Sequence, residues 1–282
     1  MSQGLNKTKH RIKSVQSTRK ITKAMQLIAT AKVKKLLNAY EDYKDYANEY
    51  RELMGVLCAH DEKETHYAKE NEGELPTLYI VISSDLGLCG AYNSNIFKYA
   101  KETIKEDDYV IPLGSKAINH FRSNTYCKNV LDVDGFDLTL DMDNIYNIVN
   151  TIKKEFNDKK WKKVEIIYTK YLNSISSEPD IMQLLPITMD YREWENESFA
   201  PPLFDEEPHE LIHRFMPNYL SSIMYAKLLE SQLSEQASRR SAMDNANDNA
   251  DELLDKLTIE YNKARQSAIT QEITEVVAGA EN

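Results

Sequence analysis

Apolar residues recur at both ends of the chain in alternating steps of three and four. From Val15 the steps run through Thr18, Thr22, Met25, Ala29, Lys32, Leu36, Ala39, Tyr43, Tyr46, Tyr50 and Leu53 to Leu57. Ten of these thirteen positions are apolar, enough to sustain one stripe. From Ile212 the same steps pass Leu229, Leu233, Gln236, Arg240, Met243, Asn247, Ala250, Leu254, Leu257, Tyr261 and Ala264 to Ala268. A mean spacing of 3.5 is the seam of a coiled coil. No proline precedes Pro76 or follows Pro217, and no glycine lies between Gly135 and Gly279. Without these breakers both ends can form very long helices. At 1.5 Å per residue they would run roughly 75 and 100 Å. A 282-residue globule has a radius of only ~20 Å, so the pair is expected to project from it.

Between the stripes the period changes. Leu78–Ser83 reads as a buried strand, and Tyr109–Leu113, Val130–Val133, Val164–Tyr168 and Ile181–Leu185 read as further strands. Helical patterns lie at Asn95–Glu106, Lys116–Ser123 and Asp143–Phe156. Such alternation predicts an α/β layer around a mainly parallel sheet. The expected division is an N-terminal helix over 1–58, a linker over 59–75, an α/β domain over 76–208 and a C-terminal helix over 209–282.

Charge adds a second asymmetry. The whole chain carries a net charge of -10, yet residues 1–35 hold ten Lys and Arg and no Asp or Glu. The rest holds 25 basic and 45 acidic residues. A concentrated basic arm on an acidic body suits docking on an acidic partner, while the acidic total argues against nucleic acid. One stretch of the C-terminal seam, Asp244–Asp251 (DNANDNAD), is small and polar. Packing between two helices does not favour it, so it is read as bonding to an outside partner.

No run reaches the ~20 apolar residues of a membrane span, and Met1–Lys13 has no apolar core of a secretory signal. Three scattered cysteines, Cys58, Cys89 and Cys127, make no disulfide framework. The turn Asp85-Leu86-Gly87-Leu88-Cys89-Gly90 stands where a nucleotide-binding turn would. It lacks the third glycine of a dinucleotide fingerprint and the Lys-Ser/Thr of a phosphate loop, and reads as a structural turn with no bound cofactor. His209-Glu-Leu-Ile-His213 spells H-E-x-x-H, the spacing of two zinc ligands on one helical face. It lies on the stripe assigned to helix pairing, and a zinc hydrolase is the weaker reading.

Three segments resemble the gamma subunit of F-type rotary ATP synthases. Arg11–Met25 (RIKSVQSTRKITKAM) is similar to that family's N-terminal helix, Ser84–Asn93 (SDLGLCGAYN) to its central motif, and Tyr261–Ala280 to its C-terminal signature. The resemblance implies a long antiparallel coiled coil of the terminal helices with a central Rossmann-like α/β domain. It implies a non-catalytic rotor inside a hexamer of alpha and beta subunits, beside epsilon and a ring of c subunits, peripheral at the cytoplasmic face of the cell membrane. It also implies roles for single residues. Arg265 and Gln266 would hydrogen-bond loops of beta, where an arginine fork suits carboxylates. Thr270, Glu272 and Glu275 match coupling positions, Met25 faces that region, and Arg239 matches an arginine lower on the shaft. Lys20 and Lys23 would face an acidic lever of beta. Arg240 departs from the family's usual Met, and no cysteine pair for a dithiol switch is present. A free-standing coiled-coil adaptor with an α/β head is the alternative from another class.

Overall fold

The computed structural model describes residues 2–123, 126–131, 142–187 and 202–280. The order is α1 (Ser2–Ala59), a short 3-10 turn (His66–Ala68), β1 (Leu78–Ile82), α2 (Tyr92–Thr103), β2 (Tyr109–Leu113), α3 (Ser115–Ser123), β3 (Asn129–Val130), α4 (Met142–Asn157), β4 (Val164–Tyr171), β5 (Ser177–Leu185) and α5 (Pro208–Ala280). The chain divides into two compact units, one of residues 1–31 with 239–282 and one of residues 32–238.

The larger unit is built on a five-stranded sheet of order β3-β2-β1-β4-β5. The first four strands are parallel and β5 is antiparallel to β4. β1 is buried at all five positions, as a central parallel strand covered on both faces should be. Leu78, Ile80 and Ile82 join Val164 and Ile166 of β4 in a core with α4 and α5. Tyr79 and Val81 turn to the other face and pack with Ile96 and Ala100 of α2 and Phe121 of α3. The period-2 alternation of β1 thus feeds two cores, one on each face.

Several boundaries differ from the sequence reading for physical reasons. α2 starts at Tyr92 rather than Asn95 and stops at Thr103, because Asp108 closes the next turn. Its carboxylate accepts the N–H groups of Lys105 and Thr77, each at 2.9 Å. β5 begins at Ser177 rather than Ile181. Its polar first half is held by hairpin pairing with β4, from Tyr171↔Ser177 inward. β3 is confined to Asn129–Val130, and the expected positions 132 and 133 lie outside the described residues.

α1 shows a change of phase. Half-buried Val15, Thr22 and Met25 follow the expected seam to buried Ala29, while Thr18 is exposed, and the buried stripe then runs through Val33, Ala47, Met54 and Leu57. Tyr46 and Leu53, expected in the seam, are exposed instead. The step Met25–Ala29–Val33 sets two four-residue spacings in a row, a stutter that resets the 3.5 repeat. From Ile212 to Arg239, α5 is buried on nearly all sides. Its apolar residues Ile212, Met216, Tyr219, Leu220, Ile223, Met224 and Leu228 belong to the main core. Val33 of α1 packs with Leu233 and Ala237 of α5.

Candidate partner-contact surface on the paired end helices

In the smaller unit the two chain ends run antiparallel. Arg19 Nη2 donates to Asp251 Oδ2 at 2.9 Å, the Thr22 hydroxyl donates to Asn247 Oδ1, and Gln26 Nε2 donates to Asp244 Oδ1. Asn247 Nδ2 returns a bond to Gln26 Oε1 at 3.1 Å. Part of the bonding expected of Asp244–Asp251 is thus met within the chain. Three of its side chains bond α1, and Asn247 is only 6% exposed. Buried polar groups need partners, and the facing helix supplies them through Arg19, Thr22 and Gln26. Among the described residues, Ala29, Met243 and Leu257 are the apolar buried points of this unit.

The sequence-expected contact residues fall into distinct settings. Lys20, Lys23, Arg265, Gln266 and Thr270 are exposed, and Met25 is half-buried. Lys23 Nζ donates to Gln26 Oε1 at 2.9 Å. Thr270 Oγ1 donates to the Gln266 carbonyl at 3.0 Å, an ordinary helix back-bond. Gln266, Thr270 and Thr274 line one shallow polar furrow of α5. The side chains of Glu272 and Glu275 lie outside the described residues. Arg239 is 6% exposed within the chain. Exposed apolar side chains accompany the charges, among them Ile21, Leu27, Ile28, Ile259, Ile273 and Val276.

In the larger unit, the turn after β1 is a closed hydrogen-bonding system. Asn93 Oδ1 accepts the N–H of Ser84 at 3.1 Å, and its Nδ2 donates to Ser84 Oγ at 2.7 Å. Residues of this turn and of the end of β1 also fill the N-terminus of α3, the helix after β2. Ser115 N–H donates to Asp85 Oδ1 at 2.8 Å, Lys116 N–H to the Ser84 carbonyl at 3.0 Å, and Ala117 N–H to Ser83 Oγ at 2.7 Å. The Asp85 carboxylate thus caps α3. Leu88 sits at φ 62 in this turn, a left-handed position more usual for glycine. Cys89 and Cys127 are buried, and burial pushes the Cys127 thiol above its usual value.

The H-E-x-x-H segment also has a structural use. His209 Nδ1 lies 3.1 Å from Asp61 Oδ2. Asp61 in turn accepts the N–H groups of Lys63 and Thr65 at 3.1 and 2.8 Å, closing the turn after α1. The His213 ring packs 5.3 Å from Tyr67 and 5.4 Å from His66. Among the described residues no group of three His, Cys, Asp or Glu is arranged to hold a metal ion. The pair at His209 and His213 thus joins the start of α5 to the segment after α1.

The comparisons with known proteins agree along the whole chain. A family model described as ATP synthase matches residues 4–282. A chain of Mycoplasma mobile called "ATP synthase gamma chain" is 40% identical over 283 residues, 98% of each chain. One of Acetobacterium woodii called "ATP synthase gamma chain, sodium ion specific" is 34% identical, covering 100% of this chain and 99% of that one. Among solved structures, a chain of the Euglena gracilis mitochondrial ATP synthase is similar in fold, with a TM-score of 0.67 at 18% identity, over 99% of this chain and 94% of that one. A central-stalk chain of Tetrahymena thermophila matches at a TM-score of 0.59 and 24% identity, over 80% of this chain and 99% of that one. With both terminal helices and the α/β middle matched in one continuous span, the chain belongs to the ATP synthase gamma-chain family.

Proposed function

We propose that the chain is the central rotor subunit of an F-type ATP synthase. Its paired ends turn inside a hexamer of alpha and beta subunits, and its α/β part stands beside epsilon and a ring of c subunits. It makes no ATP itself, since the active sites belong to beta. No helix among the described residues is long and apolar enough to cross a membrane, so the complex holds the chain at the membrane. The cytoplasmic face is the side we assign. The single observation that carries this reading is the full-length family match. The paired ends support it, because they expose apolar side chains beside basic ones. Ile21, Leu27 and Ile28 are 58–62% exposed on α1, next to Lys20 and Lys23. A surface of that composition suits a partner with both apolar and acidic groups.

The mechanism follows from asymmetry. One shaft presents different side chains to three identical beta subunits, so at any angle it favours a different conformation in each. Turning the shaft moves those preferences round the ring, which is coupling by differential contact energy. We assign the contacts to Lys20, Lys23, Met25, Arg239, Arg265, Gln266, Thr270, Glu272 and Glu275. We take the working divisions to be 1–58, 59–75, 76–208 and 209–282. The test has two parts. Tagged chain recovered from membranes should bring alpha, beta, epsilon and c with it, and recovery alone as a soluble protein would favour the free-standing adaptor. Arg265→Ala or Gln266→Ala should lower ion-driven ATP synthesis by about tenfold, the equivalent of one lost charge-assisted contact of ~1.4 kcal/mol. Assembly should remain normal. Unchanged synthesis in both variants would remove these residues from the contact set.

A further inference from the structure

β4 is longer than its parallel neighbour, and the overhang is finished by a helix. β1 pairs with Val164, Glu165, Ile166 and Ile167 only, while β4 continues to Tyr171. Beyond Ile167, the β4 edge that faces β1 has lost its partner strand. α5 supplies one from side chains. Ser231 Oγ accepts the Thr169 N–H at 3.1 Å, Ser234 Oγ donates to the Thr169 carbonyl at 3.2 Å, and Glu230 Oε1 accepts the Tyr171 N–H at 3.2 Å. Lys227 Nζ donates to Glu230 Oε2 and to the Tyr168 hydroxyl, both at 2.9 Å, and that hydroxyl donates to Asp180 Oδ2 of β5 at 3.1 Å. Ser231 and Ser234 are fully buried and Glu230 nearly so. Tyr40 of α1 faces the same carboxylate. Its hydroxyl is pushed up by burial and then by the Glu230 charge.

We propose that Glu230, Ser231 and Ser234 are positioning residues that key α5 to the sheet and make the joint stiff against turning. The proposal rests on the rotor reading, under which torque must pass between the sheet and the helix pair. Much of the surrounding joint is apolar, and apolar burial is non-directional. It resists separation, but it tolerates a helix rolling or sliding by a fraction of an ångström. Hydrogen bonds are directional and weaken steeply with misalignment. Rolling α5 about its axis swings all three side chains away from β4 at once. Sliding it by one residue sets Glu230 and Ser231 opposite the wrong backbone groups. Either motion strands buried N–H and C=O groups of β4, so the edge has one setting on the helix. Burying Ser and Glu on a helix that could have been wholly apolar has this mechanical return.

The experiment uses the assembled complex, with the hexamer fixed to a surface and a probe on the α/β part of the chain. In the stalled, nucleotide-free state the variance of the probe angle is inversely proportional to torsional stiffness. Ser231→Ala with Ser234→Ala should raise that variance by about twofold, because directional contacts are replaced by slack ones. Ser234→Ala alone, which keeps the acceptor at Ser231, should give a smaller rise in the same direction and stands in if the double variant does not assemble. Glu230→Gln keeps an acceptor for Tyr171 and should lie nearer the parent than Glu230→Leu. Loss of stability alone would lower the yield of complex without changing the variance of those that assemble. Assembled variants with the variance of the parent overturn the proposal and leave the rotor reading intact. A parent chain that never enters the complex overturns the rotor reading first.

Discussion

Asn247 gives the sharpest handle on the paired ends. It is a buried amide among the buried apolar points Ala29, Met243 and Leu257, and it holds Thr22 on one side and Gln26 on the other. Asn247→Ala removes both bonds. A neutral hydrogen bond contributes about 1 kcal/mol net, and alanine returns roughly 0.5 kcal/mol of helix propensity. Thr22 and Gln26 are partly exposed and recover water, so no full desolvation penalty follows. The expected loss is about 1–2 kcal/mol, which speeds local amide exchange across α1 residues 15–30 by about tenfold. Asn247→Leu should behave otherwise. Apolar burial replaces the bonds, so protection stays near the parent, but the amide that fixes alignment is gone. A slip of one heptad displaces the helices by about 10 Å. Bio-orthogonal spin labels at Ser14 and Lys256 would read that displacement as a second distance. Exchange in the Ala variant within twofold of the parent, together with one unchanged distance in the Leu variant, would refute the idea that this amide sets register.

Two further predictions concern the larger unit. The His213 imidazole is held below its usual 6.5 by burial first, then by His209 and His66, with Lys153 adding and Glu210 opposing. The unfolded chain then takes up the proton first, so stability is full above about pH 6.5 and falls as pH drops through the lower folded value. His213→Gln should flatten that part of the slope in urea titrations between about pH 7 and 5, and an unchanged slope would count against it. Asp61→Ala strips acceptors from the N–H groups of Lys63 and Thr65 and should cost about 3 kcal/mol, while Asp61→Asn keeps an acceptor and should cost about 1 kcal/mol. Equal losses in the two variants would show that charge, not acceptor geometry, holds the turn.

The long helices and the parallel sheet were legible because their signals are periodic and uninterrupted. What the pattern hid was set by neighbours distant in sequence. The seam of α1 offered apolar residues at adjacent positions, Tyr46 beside Ala47 and Leu53 beside Met54, and only packing against α5 chose the second of each pair. Nothing in the sequence pattern marked Glu230, Ser231 and Ser234 of α5 as buried. They are buried because the β4 overhang needs donors and acceptors, a demand invisible until the strands are paired. DNANDNAD was correctly seen as needing hydrogen bonds, but the facing helix meets part of that need. Arg265 and Gln266 were found by resemblance alone. Nothing in spacing or composition separates them from any other polar pair on an exposed helix.

The stutter at Met25–Ala29–Val33 has a chiral consequence. A stripe repeating every 3.5 residues winds two straight α-helices round each other in a left-handed sense, and a four-residue insertion locally unwinds them. A wound pair does not answer to twist symmetrically. Turning one end in one sense tightens the winding and presses side chains together, and turning it in the other opens the seam. The same two helices would then be stiffer when driven in one direction than in the other, so synthesis and hydrolysis would meet different springs.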